Sequence, residues 1–228
     1  MKRTAFSGPA LVRLLAHFAD LDVQEPAQSL SDRLSQWLGW TDAIALSTAL
    51  ATDPPAAFGA RSAAPGVEEE CARVRSSLAG AFAREEAAAR RRHRAAVQPS
   101  PDEAPPDYAD FRQRYVSLQQ AMESDIGALR ARLRAMLAAK SQDMARLAVV
   151  DAVMEQALSA RERTLLANVP ALLGKHFERL KRVHASQEAS TPNAWLDVFR
   201  KDLQSVLLAE LDIRFQPIEG LLAALRTR

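Results

Sequence analysis

Four histidines, one cysteine and scattered carboxylates are the residues of this chain that could hold a metal, attack a substrate or move a proton. His17, His93, His176 and His184 lie far apart, and only the last two share a helical segment. A ferritin-like di-metal bundle needs Glu-x-x-His on its helices, and no glutamate here has a histidine three positions on. His176 and His184 therefore read as solvated or capping imidazoles near a helix end rather than metal ligands. Cys71 repeats with Val67, Val74 and Leu78, which makes it a small core residue rather than a nucleophile. Gly174-Lys175 has the look of a phosphate-loop tail. The first glycine, the following serine or threonine and a preceding strand are all missing. Asp20 and Asp22 fall near helix ends, where capping accounts for them. No set of residues supplies an acid, a base and an oxyanion partner. No catalytic, metal-binding or cofactor-binding residue is expected.

Two clusters suit contacts better than chemistry. The run Arg90, Arg91, Arg92, His93, Arg94 is a candidate anion contact, for nucleic-acid phosphates or lipid headgroups. Its other reading is a solvated helix end, balanced by Glu85 and Glu86 and with no interleaved aromatics for base stacking. Trp37, Gly39, Trp40, Thr41 and Asp42 surround a tight turn. Two tryptophans there read first as core packing. The alternative is a docking pocket for a partner helix, with Trp37, Trp40 and Asp42 as the contacts.

The elements that must position these residues are helices. Alanine, leucine, arginine and glutamate dominate, glycine is scarce, and no run alternates like a strand. Ser7-Gly8-Pro9 opens a first helix with Leu11, Val12, Leu14, Leu15 and Phe18 on one face. Ser29 with Asp32 opens a second, carrying Leu30, Leu34, Trp37 and Leu38, and a left-handed Gly39 ends it. Thr41 or Asp42 recaps a third through Leu50, with Ile44 and Leu46 apolar. These three short helices are expected to form a compact N-terminal head over residues 1–51. A proline-rich linker covers 52–66. A charged long helix follows over 67–97, with Glu68, Glu69 and Glu70 at its start and the arginines at its end, each set complementing the helix dipole. A second linker spans 98–106, and a long-helix bundle or hairpin fills 107–228.

The bundle opens at Asp107. Its stripe is Phe111, Tyr115, Leu118, Met122, Ile126, Leu129, Leu133 and Leu137, an eleven-residue repeat averaging about 3.67 residues per turn, which favours a straight or slightly right-handed seam over a left-handed coiled coil. The pattern can run on through Met144, Leu147, Met154 and Leu158. Ser159 with Glu162 matches a capping box, and Pro170 is a second place for a break. Thr191-Pro192 starts the last helix, which carries Trp195, Leu196, Phe199, Leu203, Val206 and Leu207 before Pro217 interrupts it.

The chain has 228 residues, 48% of them hydrophobic, enough for a buried core. A net charge of +2 sets no global bias toward nucleic acid or anionic membrane. A single cysteine allows no internal disulfide and fits a reducing compartment. The apolar stretch behind Lys2 and Arg3 is broken by Arg13, His17 and Asp20, so no signal peptide is expected. The expected location is cytoplasmic.

The segments Leu11-Val12-Arg13-Leu14-Leu15 and Gln36-Trp37-Leu38-Gly39-Trp40-Thr41-Asp42-Ala43-Ile44-Ala45-Leu46-Ser47 resemble the N-terminal signature of a proteobacterial family of unknown function. The likeness continues through the Trp195–Leu225 region and spans most of the chain. The tryptophan-centred turn is its specific part. The family carries no established activity, so the resemblance implies no catalytic residue. Its members are often encoded near proton-channel proteins of the MotA/TolQ/ExbB kind and near OmpA-like proteins. That implies a membrane-channel neighbour and a place peripheral to the inner membrane.

The reading is an all-α protein acting as a non-enzymatic scaffold or adaptor. Its long apolar stripes call for protein partners or a second copy of the chain. The alternative is a nucleic-acid-binding protein using the Arg90–Arg94 run.

Overall fold

A computed structural model describes residues 8–19, 28–52, 66–96, 107–186 and 194–227. They contain eight helices and no strand: α1 (Ala10–Ala19), α2 (Leu30–Trp37), α3 (Trp40–Ala51), α4 (Val67–Ala96), α5 (Tyr108–Ala138), α6 (Gln142–Leu166), α7 (Val169–Ala185) and α8 (Ala194–Arg226). The all-α expectation holds. Most of the two expected linkers, and the Thr191-Pro192 start, lie outside the described residues.

The eleven-residue stripe organises α5. All eight of its residues, from Phe111 to Leu137, are buried. Burial of one such side chain contributes roughly 1.5–3 kcal/mol, so the stripe is the main apolar investment of the helix. The expected continuation does not occur. The chain turns at Ala139-Lys140, and the Ser141 hydroxyl accepts the Met144 N–H at 3.3 Å to cap α6. The buried positions in the first half of α6 are Ala145 and Ala148, while Leu147 is exposed. A serine cap and a row of small residues thus replaced the long apolar stripe.

Ser159 lies inside α6, its hydroxyl bonded back to the Gln156 carbonyl, so it opens nothing. The break falls at Ala167-Asn168, and Pro170 sits in the first turn of α7, where its missing N–H costs no helical bond. Pro217 does not interrupt α8 either. Phe215, Ile218 and Leu221 around it are buried, and packing outweighs one lost hydrogen bond.

The described residues fall into two units. The first takes α1, α4 from Arg73, α5 to Ser124, α7 and α8 to Arg214. Here α1 packs on α7. Its core is a ring cluster: Phe177 lies 4.9 Å from Phe199 and 5.0 Å from Trp195, both edge-on, and Phe111 meets Phe199 at 5.3 Å. Edge-to-face pairs of this kind add about 0.5–1.5 kcal/mol each beyond the area they bury. Tyr108 lies over Gly174, where an added Cβ would come within 2.8 Å of the ring, and its hydroxyl donates to the Pro170 carbonyl. Burial pushes the Tyr108 hydroxyl up to about 12.

The second unit takes α2, α3, the first turn of α4, α5 from Asp125, α6 and the end of α8. Here α3 packs on α6. Arg130 grips Asp151 with two bonds, at 2.8 and 2.6 Å, and Arg134 reaches Asp151 and Glu155 at 3.1 and 2.5 Å. These half-buried pairs clip α5 to α6. Lys140 donates to the Leu225 carbonyl at 2.7 Å and to that of Thr227, placing a cation at the negative end of α8. Helix α1 belongs to the first unit, where it packs on α7, and α2 and α3 belong to the second, where α3 packs on α6.

Candidate partner-docking surface

The tryptophan turn is built by two caps. The Ser29 hydroxyl accepts the Asp32 N–H at 3.1 Å and the Asp32 carboxylate accepts the Ser29 N–H, the expected box at the start of α2. The second cap differs from expectation. Gly39 has φ −71° and ψ 167°, an extended conformation and not a left-handed one. It is itself the N-cap of α3, and the Asp42 carboxylate accepts its N–H at 3.0 Å. With no side chain, Gly39 supplies none of the reciprocal bond, so Asp42 carries this cap alone.

That cap places the two tryptophans differently. Trp37 ends α2 half-buried, with the Arg161 guanidinium of α6 4.9 Å from its ring centre. Such a cation–π contact is worth about 0.5–1 kcal/mol at an exposed site. Trp40 starts α3 and is 81% exposed. Core packing accounts for the first and not for the second. Ile44 and Leu50 are also exposed, at 51% and 57%. Helix α3 turns Ala49 inward and has one charged residue, Asp42, which is engaged in its cap. Past that cap the helix carries no charge, and the apolar Trp40 and Ile44 adjoin one helical turn apart.

The other candidates separate. The backbone of Arg90, Arg91, Arg92 and Arg94 belongs to α4, but their side chains lie outside the described residues, as does that of His93. Cys71 is buried, and burial pushes its thiol pKa up, away from a reactive thiolate. His17 is exposed and His184 half-buried. His176 corrects the expectation of a solvated imidazole: it is 3% exposed and stacked 4.2 Å from Phe18. Its Nε2 meets Asp202 at 2.7 Å, and its Nδ1 meets the Arg179 Nη2 at 3.0 Å. A guanidinium only donates, so Nδ1 accepts and Nε2–H donates to Asp202: the ring is neutral. Burial lowers its pKa, which agrees, although Asp202 pulls the other way. Among the described residues no group of three His, Cys, Asp or Glu could hold a metal ion.

Sequence reasoning missed Glu210. It is fully buried on α8 and accepts from the Tyr115 hydroxyl at 2.6 Å, the Gln119 amide at 3.0 Å and the Arg214 Nε at 3.0 Å. Burial and the Glu210 carboxylate both push the Tyr115 hydroxyl well above its ordinary pKa, keeping it a donor. The signal was present: Glu210 continues the Leu203, Val206, Leu207 row, and Arg214 follows four residues on. Both Glu210 oxygens are engaged by side chains of this chain, so the cluster ties α5 to α8.

A family model described as a protein of unknown function, DUF3348, matches residues 1–227. No curated protein and no solved structure matches the chain.

Proposed function

The chain belongs to that family of unknown function, which brings no activity with it, and we propose that it acts as a non-enzymatic scaffold or adaptor docking a protein partner on the outward face of α3. One observation carries the reading: Trp40 stands 81% exposed on a helix whose one charged residue, Asp42, is held in its cap. Tryptophan is enriched among interface anchors, and an apolar surface is complemented by an apolar one. The partner presents an apolar helix or groove that closes over Trp40 and Ile44. Trp37, held by Arg161, and Asp42, at the cap, keep the turn rigid, so little ordering cost falls on binding.

The resemblance of the tryptophan turn to a proteobacterial family encoded near proton-channel and OmpA-like proteins supplies the setting: a cytoplasmic component of an envelope-associated assembly, peripheral to the inner membrane. No helix among the described residues is long and apolar enough to cross a membrane. The test is capture of partners by the tagged full chain from its own cells, beside a Trp40→Ala/Ile44→Ser variant, with light scattering on both purified proteins. Loss of a specific membrane-associated protein from the variant supports the reading. A self-dimer broken by the variant makes the partner a second copy. Identical captured sets and identical masses contradict it.

A further inference from the structure

In the first unit, α1 and α7 leave an open groove of about 720 Å³. Phe18, Leu172 and Val183 give it an apolar lining, and Lys175, Arg179 and Arg182 give it three cations. These cations are spaced four and three residues apart, so they stand in one row along α7. None of the described lining residues is acidic, and among the described residues neither Lys175 nor Arg182 has an ion-pair partner. Arg179 is turned inward to the His176 ring, which fixes the middle of the row. Val183 is 50% exposed beside Lys175 and Arg182, which are exposed too.

We propose that this groove receives an amphipathic helix from another protein, with carboxylates flanking its apolar stripe. The valley between two packed helices is the shape that a third helix fills, and helix-in-groove recognition is read as anchors at four-three spacing. The cation row has that same spacing, so glutamates at matching positions on the incoming helix meet Lys175 and Arg182 while its apolar residues cover Phe18, Leu172 and Val183. A basic helix is repelled by three cations, and an acyl chain would leave one side in water because the groove is open along its length. The surface is separate from the Trp40 face and stands on its own observations. With both occupied, one chain joins two partners.

The probe is a fluorescein-labelled synthetic helical peptide with leucines at four-three spacing and flanking glutamates, added to the full chain and read by anisotropy. Binding that weakens as salt rises is expected, with no binding of the same peptide carrying lysines for glutamates. Lys175→Glu/Arg182→Glu should weaken binding by about tenfold or more, and Val183→Asp by a similar factor. All three residues are exposed, and circular dichroism of each variant should match the parent. No binding of the glutamate peptide, equal binding of the lysine peptide, or full affinity in the double variant overturns the proposal. Binding of phosphatidylglycerol vesicles through the same residues, in place of the peptide, overturns it in favour of a lipid surface.

Discussion

Removing the Glu210 carboxylate tests the most heavily invested polar cluster of the fold. Glu210 is fully buried, and Arg214, four residues on, keeps 7% of its side chain exposed. Neither charge can regain water without unpacking α5 from α8. Glu210→Leu keeps a similar volume but removes the buried countercharge beside Arg214 and the acceptor of the Tyr115 hydroxyl, at a cost of about 3–5 kcal/mol. Tyr115→Phe loses one hydrogen bond to a charged group, about 1.5–3 kcal/mol, and leaves the ion pair in place. Arg214→Met should cost about as much as Glu210→Leu, because a buried carboxylate is then left unpaired. The informative variant is Glu210→Leu/Arg214→Met. With both charges gone, apolar replacement should restore most of the loss, so the double variant is far more stable than the summed single effects allow. Urea unfolding followed by helical circular dichroism measures each value, with an unchanged m slope as the check that the unfolding reaction is the same. A Glu210→Leu cost below about 1 kcal/mol, or strictly additive costs, would refute the reasoning that burial makes these charges interdependent.

His176 should place a step in the acid limb of stability. Its folded pKa lies below the ordinary 6.5, so its contribution is full above that value and is lost as pH falls through the lower folded one. The protonated ring would set Nδ1–H against Arg179, with His17 adding further positive charge and only Asp202 opposing. His176→Gln should flatten stability between neutral and mildly acidic pH in urea titrations; an unchanged slope contradicts the neutral-ring assignment. Two glycines should respond in opposite directions. Gly127→Ala meets nothing within 4 Å and should stabilise the chain by about 0.5–1 kcal/mol through helix propensity. Gly174→Ala places a methyl 2.8 Å from the Tyr108 ring and should destabilise it by about 1–3 kcal/mol, seen as opposite shifts of thermal midpoint.

What was legible in the sequence follows from what each signal depends on. Periodicity reports a helix facing a partner, and the α5 stripe is buried residue for residue. Local side-chain caps were legible where donor and acceptor sit three apart, as at Ser29 and Asp32. They were misread where the cap residue has no side chain, as at Gly39, and overlooked at Ser141, whose helix buries alanines rather than leucines. Pro170 marked a true restart, beside which α6 ends, but the Pro217 signal failed for a tertiary reason: α8 runs through it because its neighbours are buried. That α1 packs on α7 and α3 on α6 was not legible, since periodicity gives a face and not its partner. The site divided in the same way. Trp37 and Trp40 stand three apart with similar local prospects, yet only the packing of α6 under Trp37 separates an anchored ring from an exposed one.

The central claim is that the Trp40 face of α3 is occupied in the cell. A photo-crosslinking amino acid placed at position 40 of the full chain, expressed in its own cells, reads that occupancy directly. Position 152, exposed on α6, serves as the control. The account predicts a discrete crosslinked protein from position 40, absent from position 152 and competed away by excess unmodified chain. No discrete product from position 40, or the same product from both positions, contradicts it.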